Sequence, residues 1–189
     1  MKITKEIHIW TTEEKIQRFG NGEWVQEIDY LEFEYLDYEC TICRMCVREP
    51  YSKEEKYFGG YLCGYVKLPK YHPYYDLEYY DMRIICHGGL TFGEKNEQYW
   101  IGFDCSHSHD YIPSFEFLKE TAPFMAEFKK KTEELKKRFN LENSPIFNRI
   151  YRNMEFCIYE CKNIIDQLIE IQVTNMIEKS TEESLMDNQ

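Results

Sequence analysis

The chain lacks long apolar runs, an excess of basic residues and low-complexity segments. No stretch approaches the roughly 20 apolar residues that a membrane-spanning helix needs, and no basic region followed by an apolar run indicates export. Lys and Arg number 23 against 34 Asp and Glu, a formal net charge of -11. Because this charge repels phosphate backbones, direct DNA or RNA binding is disfavoured. We expect a cytoplasmic protein without a membrane segment.

Eight cysteines are present, but there is no second C-x-x-C pair to complete a four-thiolate zinc site. Without an export signal, free thiols are expected rather than disulfides. Cys40, Cys43 and Cys46 have apolar neighbours, and we interpret them as buried structural thiols. Cys157 and Cys161, four residues apart, are predicted to face the core from one helix.

Apolar residues are plentiful and regularly spaced. They make up 43% of 189 residues, enough for one core. Residues 1–110 mainly alternate with period two between glycines and prolines, which is typical of antiparallel strands. Residues 114–139 and 145–177 have helical spacing, and 180–189 read as a flexible tail. We predict a single α+β domain over residues 1–179, with an antiparallel sheet of about five strands packed by two C-terminal helices.

Two strand predictions bear on function. Residues 82–87 and 98–103 are expected to pair as a hairpin, joined through Gly88 and Gly89. Residues 23–39 hold seven acidic residues and no basic one, and they are expected to form a strand with an acidic outer face. Such a face is either a solvated surface or a mimic of nucleic-acid charge spacing.

The strongest local signal is the polar run from Asp104 to Asp110, which follows a predicted strand. Ligand-binding residues are common at such junctions, because a rigid strand positions the polar end. His107 and His109 are of a type that binds zinc. The favoured alternative is that both make hydrogen bonds or lie in solvent, so that no cofactor is expected.

A second signal comes from the glycines after His87 and from an arginine near the last helix. Gly88 and Gly89 either present backbone N–H groups to an anion or form a plain turn. Arg152 is suited to clamp a carboxylate or phosphate, or else stays solvated beside the core stripe. These residues extend the candidate site beyond the run that ends at Asp110.

Four motifs occur in a fixed order along the chain. They are Gly64-Tyr65-Val66 with Pro69 and His72-Pro73, then His87-Gly88-Gly89-Leu90-Thr91, then residues 100–107 with Asp110, and last Tyr151-Arg152 with Glu160-Cys161. Over roughly residues 40–168 the chain resembles a family of small, uncharacterised proteins encoded by bacteriophages and prophages, although Cys43 and Cys46 depart from its pattern. The resemblance implies a phage origin and a role inside an infected host cell, where small accessory proteins commonly counter host defences.

The leading hypothesis is a non-enzymatic binder that sequesters a nucleotide-like signal of host immunity in the host cytoplasm. Its predicted ligand-binding residues are Arg44, Tyr65, His72, His87, Gly88, Gly89, Asp104, His107, Asp110 and Arg152, and the tyrosines of residues 71–80 are expected to stack a base. One alternative is a metal-dependent hydrolase that uses His87, His107, His109 and Asp110. Another is an acidic inhibitor of a host nuclease, which would make a host defence protein the partner. Each of these three hypotheses is compatible with a homo-oligomer.

Overall fold

The structure, a computed structural model, describes residues 1–48, 57–115, 117, 123–141, 144 and 148–186. Its strands and α-helices are β1 (Lys2–Ile7), α1 (Thr12–Phe19), β2 (Tyr30–Tyr35), β3 (Tyr38–Arg48), β4 (Tyr57–Leu68), β5 (Phe92–Lys95), β6 (Tyr99–Asp104), α2 (Pro123–Arg138) and α3 (Met154–Met186). The strands form one sheet in the order β1-β2-β3-β4-β6-β5, and all neighbours are antiparallel. The predicted α+β class is confirmed, with six strands in the described chain instead of about five.

The main core lies between the sheet and α3. Cys157, Cys161 and Leu168 are buried on α3, as the helical spacing predicts, in the same core cluster as residues of the central strands. Each fully buried side chain of leucine size contributes about 1.5–3 kcal/mol. Gly64 on β4 permits the close approach of Phe103 and of Cys161 on α3. A Cβ at Gly64 would lie 2.5 Å from the ring of Phe103 and 3.0 Å from Sγ of Cys161.

The predicted hairpin of residues 82–87 with 98–103 is wrong, because β6 pairs with β5 instead. Residues 82–87 form no strand. They lie beside α3, and two of them bond to its side chains. The side-chain amide of Gln167 accepts a hydrogen bond from the N–H of Ile85 and donates one to its carbonyl, each at 2.8 Å. These two bonds satisfy the backbone N–H and carbonyl of Ile85, as the backbone of a neighbouring strand would.

The acidic run of residues 23–39 is not one strand. A single turn of 3-10 helix covers Glu23–Val25, and β2 begins only at Tyr30. Leu36 and Asp37 have φ angles of +48° and +65°, and they form the two-residue turn between β2 and β3. Positive φ at both central positions is typical of a tight antiparallel hairpin, which ends one strand and begins the next.

The last helix begins at Met154 rather than at residue 145 and continues to Met186, so residues 180–186 are helical rather than a flexible tail. Its start is set by Asn153, whose side chain accepts a hydrogen bond of 2.9 Å from the N–H of Phe156. Ile150 is excluded from the helix because it forms a parallel bridge with Asp110. Pro145 and part of the predicted helix 114–139 lie outside the described residues, and α2 covers residues 123–138 of that range.

Candidate functional site

Asp110 is the centre of a polar cluster and is only 1% exposed. Its Oδ2 accepts hydrogen bonds from Nε2 of His87 at 2.8 Å and from the backbone N–H of His107 at 2.9 Å. Its Oδ1 accepts a bond of 3.1 Å from Nε of Arg152. Burial alone would raise the pKa of Asp110, but the hydrogen bonds lower it to about 2. We call His87, His107, Asp110 and Arg152 the Asp110 cluster.

Two backbone contacts bring the cluster together. The N–H of Asp110 donates to the carbonyl of His107 at 2.9 Å, so residues 107–110 form a turn. The bridge between Asp110 and Ile150 then places the chain that leads into α3 beside this turn. Arg152 lies two residues beyond Ile150 and therefore reaches the carboxylate.

His87 is held by α3 and by the glycine that follows it. The backbone N–H of His87 donates to Oε2 of the buried Glu160 at 2.9 Å. Gly88 has a φ of +67°, and a Cβ there would lie 2.0 Å from Cε1 and Nε2 of His107. At Gly89 the space is open, and its N–H donates to the carbonyl of Cys86 at 2.9 Å. Gly88 thus permits a close contact, whereas Gly89 closes a turn and its N–H is not available to an anion.

The two imidazoles of the cluster lie edge to face, with ring centroids 5.2 Å apart. Nδ1 of His107 is 3.4 Å from Oδ2 of Asp110 and 3.9 Å from Oδ1 of Asp104. This nitrogen is buried, and it has no hydrogen-bond partner in the described part of the chain. His87, His107 and Asp110 each offer one metal-ligating atom, and these three atoms lie within 4.8 Å of one another.

His109 does not belong to this group, so the predicted pairing of His107 with His109 is wrong. The imidazole of His109 is exposed, while its carbonyl accepts a hydrogen bond of 3.0 Å from the N–H of Ile150. The pairing assumed that residues 104–110 stay extended, which would place alternate side chains on one face. The turn at residues 107–110 removes that alternation and brings His87 to His107 instead.

Asp104 lies at the edge of the Asp110 cluster. Its Oδ1 accepts hydrogen bonds from the N–H of Ser106 at 2.9 Å and from the hydroxyl of Ser106 at 2.6 Å. Burial by itself would raise the pKa of Asp104, but the bonds from Ser106 and Thr91 lower it below its usual value. The carboxylate therefore stays ionised next to His107.

Arg44 is buried away from the cluster, which contradicts its predicted role as a ligand contact. Its five N–H groups donate, at 2.6–3.3 Å, to side chains or carbonyls of Glu27, Ile28, Asp29, Gly60 and Tyr151. Burial alone would lower the pKa of Arg44, but Tyr151, Glu27 and Asp29 raise it. Because all its donors are used within the protein, Arg44 is a structural residue.

His72 and Tyr65 also lie outside the cluster and have structural partners. Nε2 of the buried His72 donates to the carbonyl of Leu168 at 2.9 Å, and its Nδ1 accepts from the N–H of Tyr74 at 3.0 Å. Burial lowers the pKa of His72, although the Leu168 carbonyl opposes this effect. Tyr65 packs edge to face on Phe92, with centroids 5.0 Å apart. Neither residue is among the hydrogen-bond partners of Asp110.

Three residues of α3 support the cluster but were not among the predicted contacts. Glu160 holds His87, Gln167 holds Ile85, and the Phe156 ring lies 5.2 Å from the ring of His87. The sequence does contain a signal for two of them. Glu160 and Gln167 are polar residues seven apart, and they interrupt an otherwise apolar helical stripe. A polar residue on a buried face needs a partner, and here the partner is the segment that carries His87.

Two grooves on the described surface lie elsewhere. One runs between residues 73–77 and the second half of α3. The other lies on the sheet face beside Glu32, Glu39 and Trp100. Neither groove contains a residue of the Asp110 cluster.

Comparison with known proteins assigns no family. No protein-family model matches the chain, and no curated protein or solved structure matches it significantly. Within the described residues, no helix combines the length and apolar character needed to cross a bilayer. The resemblance to phage and prophage proteins stays a prediction, and the Asp110 cluster is the basis for a function.

Proposed function

We propose that this protein binds and sequesters a small anionic, nucleotide-like ligand at the Asp110 cluster, and that it counters a host defence in the host cytoplasm by doing so. One observation carries the proposal. A single buried carboxylate accepts hydrogen bonds from the imidazole of His87, the backbone N–H of His107 and the guanidinium of Arg152, and the side chains of all three residues remain partly accessible. The exposed fractions are 15% for His87, 32% for His107 and 23% for Arg152.

Arg152 supplies the anion-binding chemistry. Within the described chain only its Nε donates a hydrogen bond, to Asp110. The terminal Nη groups are therefore available to a phosphate, which a guanidinium binds with paired, charge-assisted hydrogen bonds. The formal charges of Arg152 and Asp110 cancel, so the cluster itself adds no negative charge to this acidic protein.

The aromatic partner for a base differs from the predicted one. Tyr74 of the Tyr-rich loop packs on the buried His72, with centroids 5.6 Å apart. The aromatic ring at the cluster is that of Phe156, which lies 4.7 Å below the Arg152 guanidinium and faces His87. We propose that the Arg152 guanidinium, supported from below by Phe156, is the planar surface on which a base stacks.

The proposal is tested by isothermal titration of the folded protein with cyclic mononucleotides, cyclic dinucleotides and ADP-ribose. We expect one of these to bind to wild-type protein and to bind Arg152→Gln at least about tenfold more weakly, which is the loss of one charge-assisted contact. Arg83→Gln is the matched control, because Arg83 is an exposed arginine outside the cluster. Failure of every member of the panel to bind would sink the proposal.

The same incubations separate sequestration from hydrolysis. Chromatography of the released ligand should return it intact if the protein is a binder. A new product that forms with wild-type protein but not with His107→Gln would instead favour the metal-dependent hydrolase.

The nuclease-inhibitor alternative has less support. Glu32 and Glu34 on β2 and Glu39 on β3 pair with Lys5, Lys2 and Lys67, at 3.8, 3.3 and 2.7 Å. Glu27 and Asp29 of the same run bind Arg44 inside the protein. Carboxylates that are paired with lysines do not reproduce the row of unpaired negative charges that a nucleic-acid backbone presents.

A further inference from the structure

We infer that His87, His107 and Asp110 bind one divalent transition-metal ion of the zinc class. This site deepens the proposed function, and only its last step, contact between the ion and a ligand phosphate, rests on that function. Oδ2 of Asp110 lies 2.8 Å from Nε2 of His87 and 3.4 Å from Nδ1 of His107. Bonds of about 2.0–2.2 Å to nitrogen and oxygen place neighbouring ligand atoms about 2.8–3.6 Å apart. Both separations fall in that range, and the three ligating atoms all lie within 4.8 Å of one another. To bind the ion, His87 carries its ring proton on Nδ1, and bonds from Nε2 and Oδ2 to the metal replace the hydrogen bond between those two atoms.

The unpartnered nitrogen of His107 is a second, independent observation. Nδ1 is buried and close to Oδ2 of Asp110, yet within the described residues it has no hydrogen-bond partner. Buried polar atoms are nearly always paired, because an unpaired one has lost its hydrogen bonds to water. If Nδ1 carries a lone pair, that lone pair and the carboxylate repel each other. A cation between the two atoms removes the repulsion and satisfies both.

Hydrogen bonds to other atoms of the same residues orient the metal-ligating atoms. Arg152 binds Oδ1 of Asp110, and Oδ2 faces the imidazoles. Glu160 fixes the backbone of His87, and Gly88 leaves room for the ring of His107. Metal-binding side chains are commonly oriented by an outer layer of hydrogen bonds of this kind. The geometry is therefore held by residues that would not themselves touch the ion.

Ligand chemistry selects the class of ion. Two imidazole nitrogens and one carboxylate oxygen suit Zn²⁺, Co²⁺ or Fe²⁺, whereas Ca²⁺ and Mg²⁺ prefer all-oxygen sites. Three protein ligands leave at least one coordination position for another group. The side chains of His87 and His107 are partly exposed, and a water or a phosphate oxygen that reaches the ion past these rings would take that position.

The test uses Co²⁺, whose visible absorption reports its coordination, added to full-length protein pretreated with a chelator. We expect one equivalent to bind and Zn²⁺ to displace it. His87→Gln and His107→Gln should each bind at least about 100-fold more weakly. His109→Gln is the matched control, because it removes an exposed histidine from the same turn and should bind Co²⁺ like wild type.

A measurement on the unaltered protein covers the case in which the variants fail to fold. Zn²⁺ should shift the ¹⁵N resonances of His87 and His107 in wild-type protein and leave that of His109 in place. The inference is overturned if folded wild-type protein binds no Co²⁺ in the titration, or if His109→Gln weakens binding as much as His107→Gln does.

The same samples distinguish failure of this site from failure of the proposed function. Protein that binds Co²⁺ but no nucleotide of the panel would retain the metal site and refute ligand sequestration. Protein that binds a nucleotide equally well with and without the ion would refute the contact between ion and phosphate.

Discussion

Nη1 of Arg44 donates a hydrogen bond of 2.6 Å to the hydroxyl of Tyr151, a residue 107 positions later in the chain. The same hydroxyl donates to Oε2 of Glu27, also at 2.6 Å. Burial raises the pKa of Tyr151, so the phenol stays protonated and serves as this donor. Tyr151 directly precedes Arg152. The buried network therefore fixes the segment that carries the guanidinium of the Asp110 cluster.

Arg44→Lys should destabilise the fold strongly. A single ammonium cannot reach the acceptors that the guanidinium satisfies, which leaves Asp29 and Glu27 short of partners in the interior. Each charge-assisted hydrogen bond that lysine cannot replace costs about 1.5–3 kcal/mol, measurable by urea denaturation. Arg83→Lys, at an exposed position, should stay within about 0.5 kcal/mol of wild type. Similar losses in both variants would contradict the buried role of Arg44.

Gly88→Ala should be much more harmful than Gly89→Ala. Both glycines have positive φ, so each substitution costs about 1–2 kcal/mol of backbone strain. Only at residue 88 would the new Cβ also collide with the ring of His107. We expect Gly88→Ala to lose Co²⁺ binding and Gly89→Ala to retain it, as absorption titrations of both proteins will show. Equal retention would mean that the ring of His107 moves aside freely.

Gln167→Glu should loosen the segment that leads to His87. The carboxylate still accepts from the N–H of Ile85, but it cannot donate to the carbonyl of Ile85 and repels it. We expect a loss of about 1–3 kcal/mol and faster hydrogen exchange at Ile85 and His87. Glu178→Gln, on an exposed part of α3, provides the control. Unchanged exchange at Ile85 would show that this clamp does not restrain the segment.

Asp110 should make stability fall at acid pH. Its pKa is lowered from 3.8 to about 2 in the folded protein. A lowered carboxyl pKa stabilises the fold above the unfolded value, and this stability is lost as pH falls from about 4 through about 2. A shift of this size amounts to about 2 kcal/mol.

Urea denaturation of wild type and Asp110→Asn across that pH window measures the contribution. The variant should lose less stability than wild type between pH 4 and pH 2. Asp76→Asn should keep the wild-type slope, because the Asp76 side chain is 95% exposed and pairs only loosely with Lys95. Parallel curves for wild type and Asp110→Asn would argue against the buried, ionised carboxylate.

Part of the site could be predicted from the sequence. The polar run after β6 and the arginine before α3 both contribute residues to the Asp110 cluster, and one of the glycines after His87 makes room for it. The pairing of His107 with His109 failed because it assumed an extended chain through a turn. The prediction that Arg44 contacts a ligand was wrong because its five acceptors come from other segments of the chain. No local sequence pattern shows that they meet its guanidinium inside the fold.

Local spacing by itself determined the class of fold and the buried face of α3, since the alternation of apolar residues is a property of neighbouring positions. Cys157 and Cys161 illustrate this, because helical periodicity alone places them in the core. Tertiary structure decided which polar groups meet. Asp110 reaches His87 across 23 positions and Arg152 across 42, because a buried carboxylate must find donors wherever the fold brings them. No spacing within a single segment encodes those contacts.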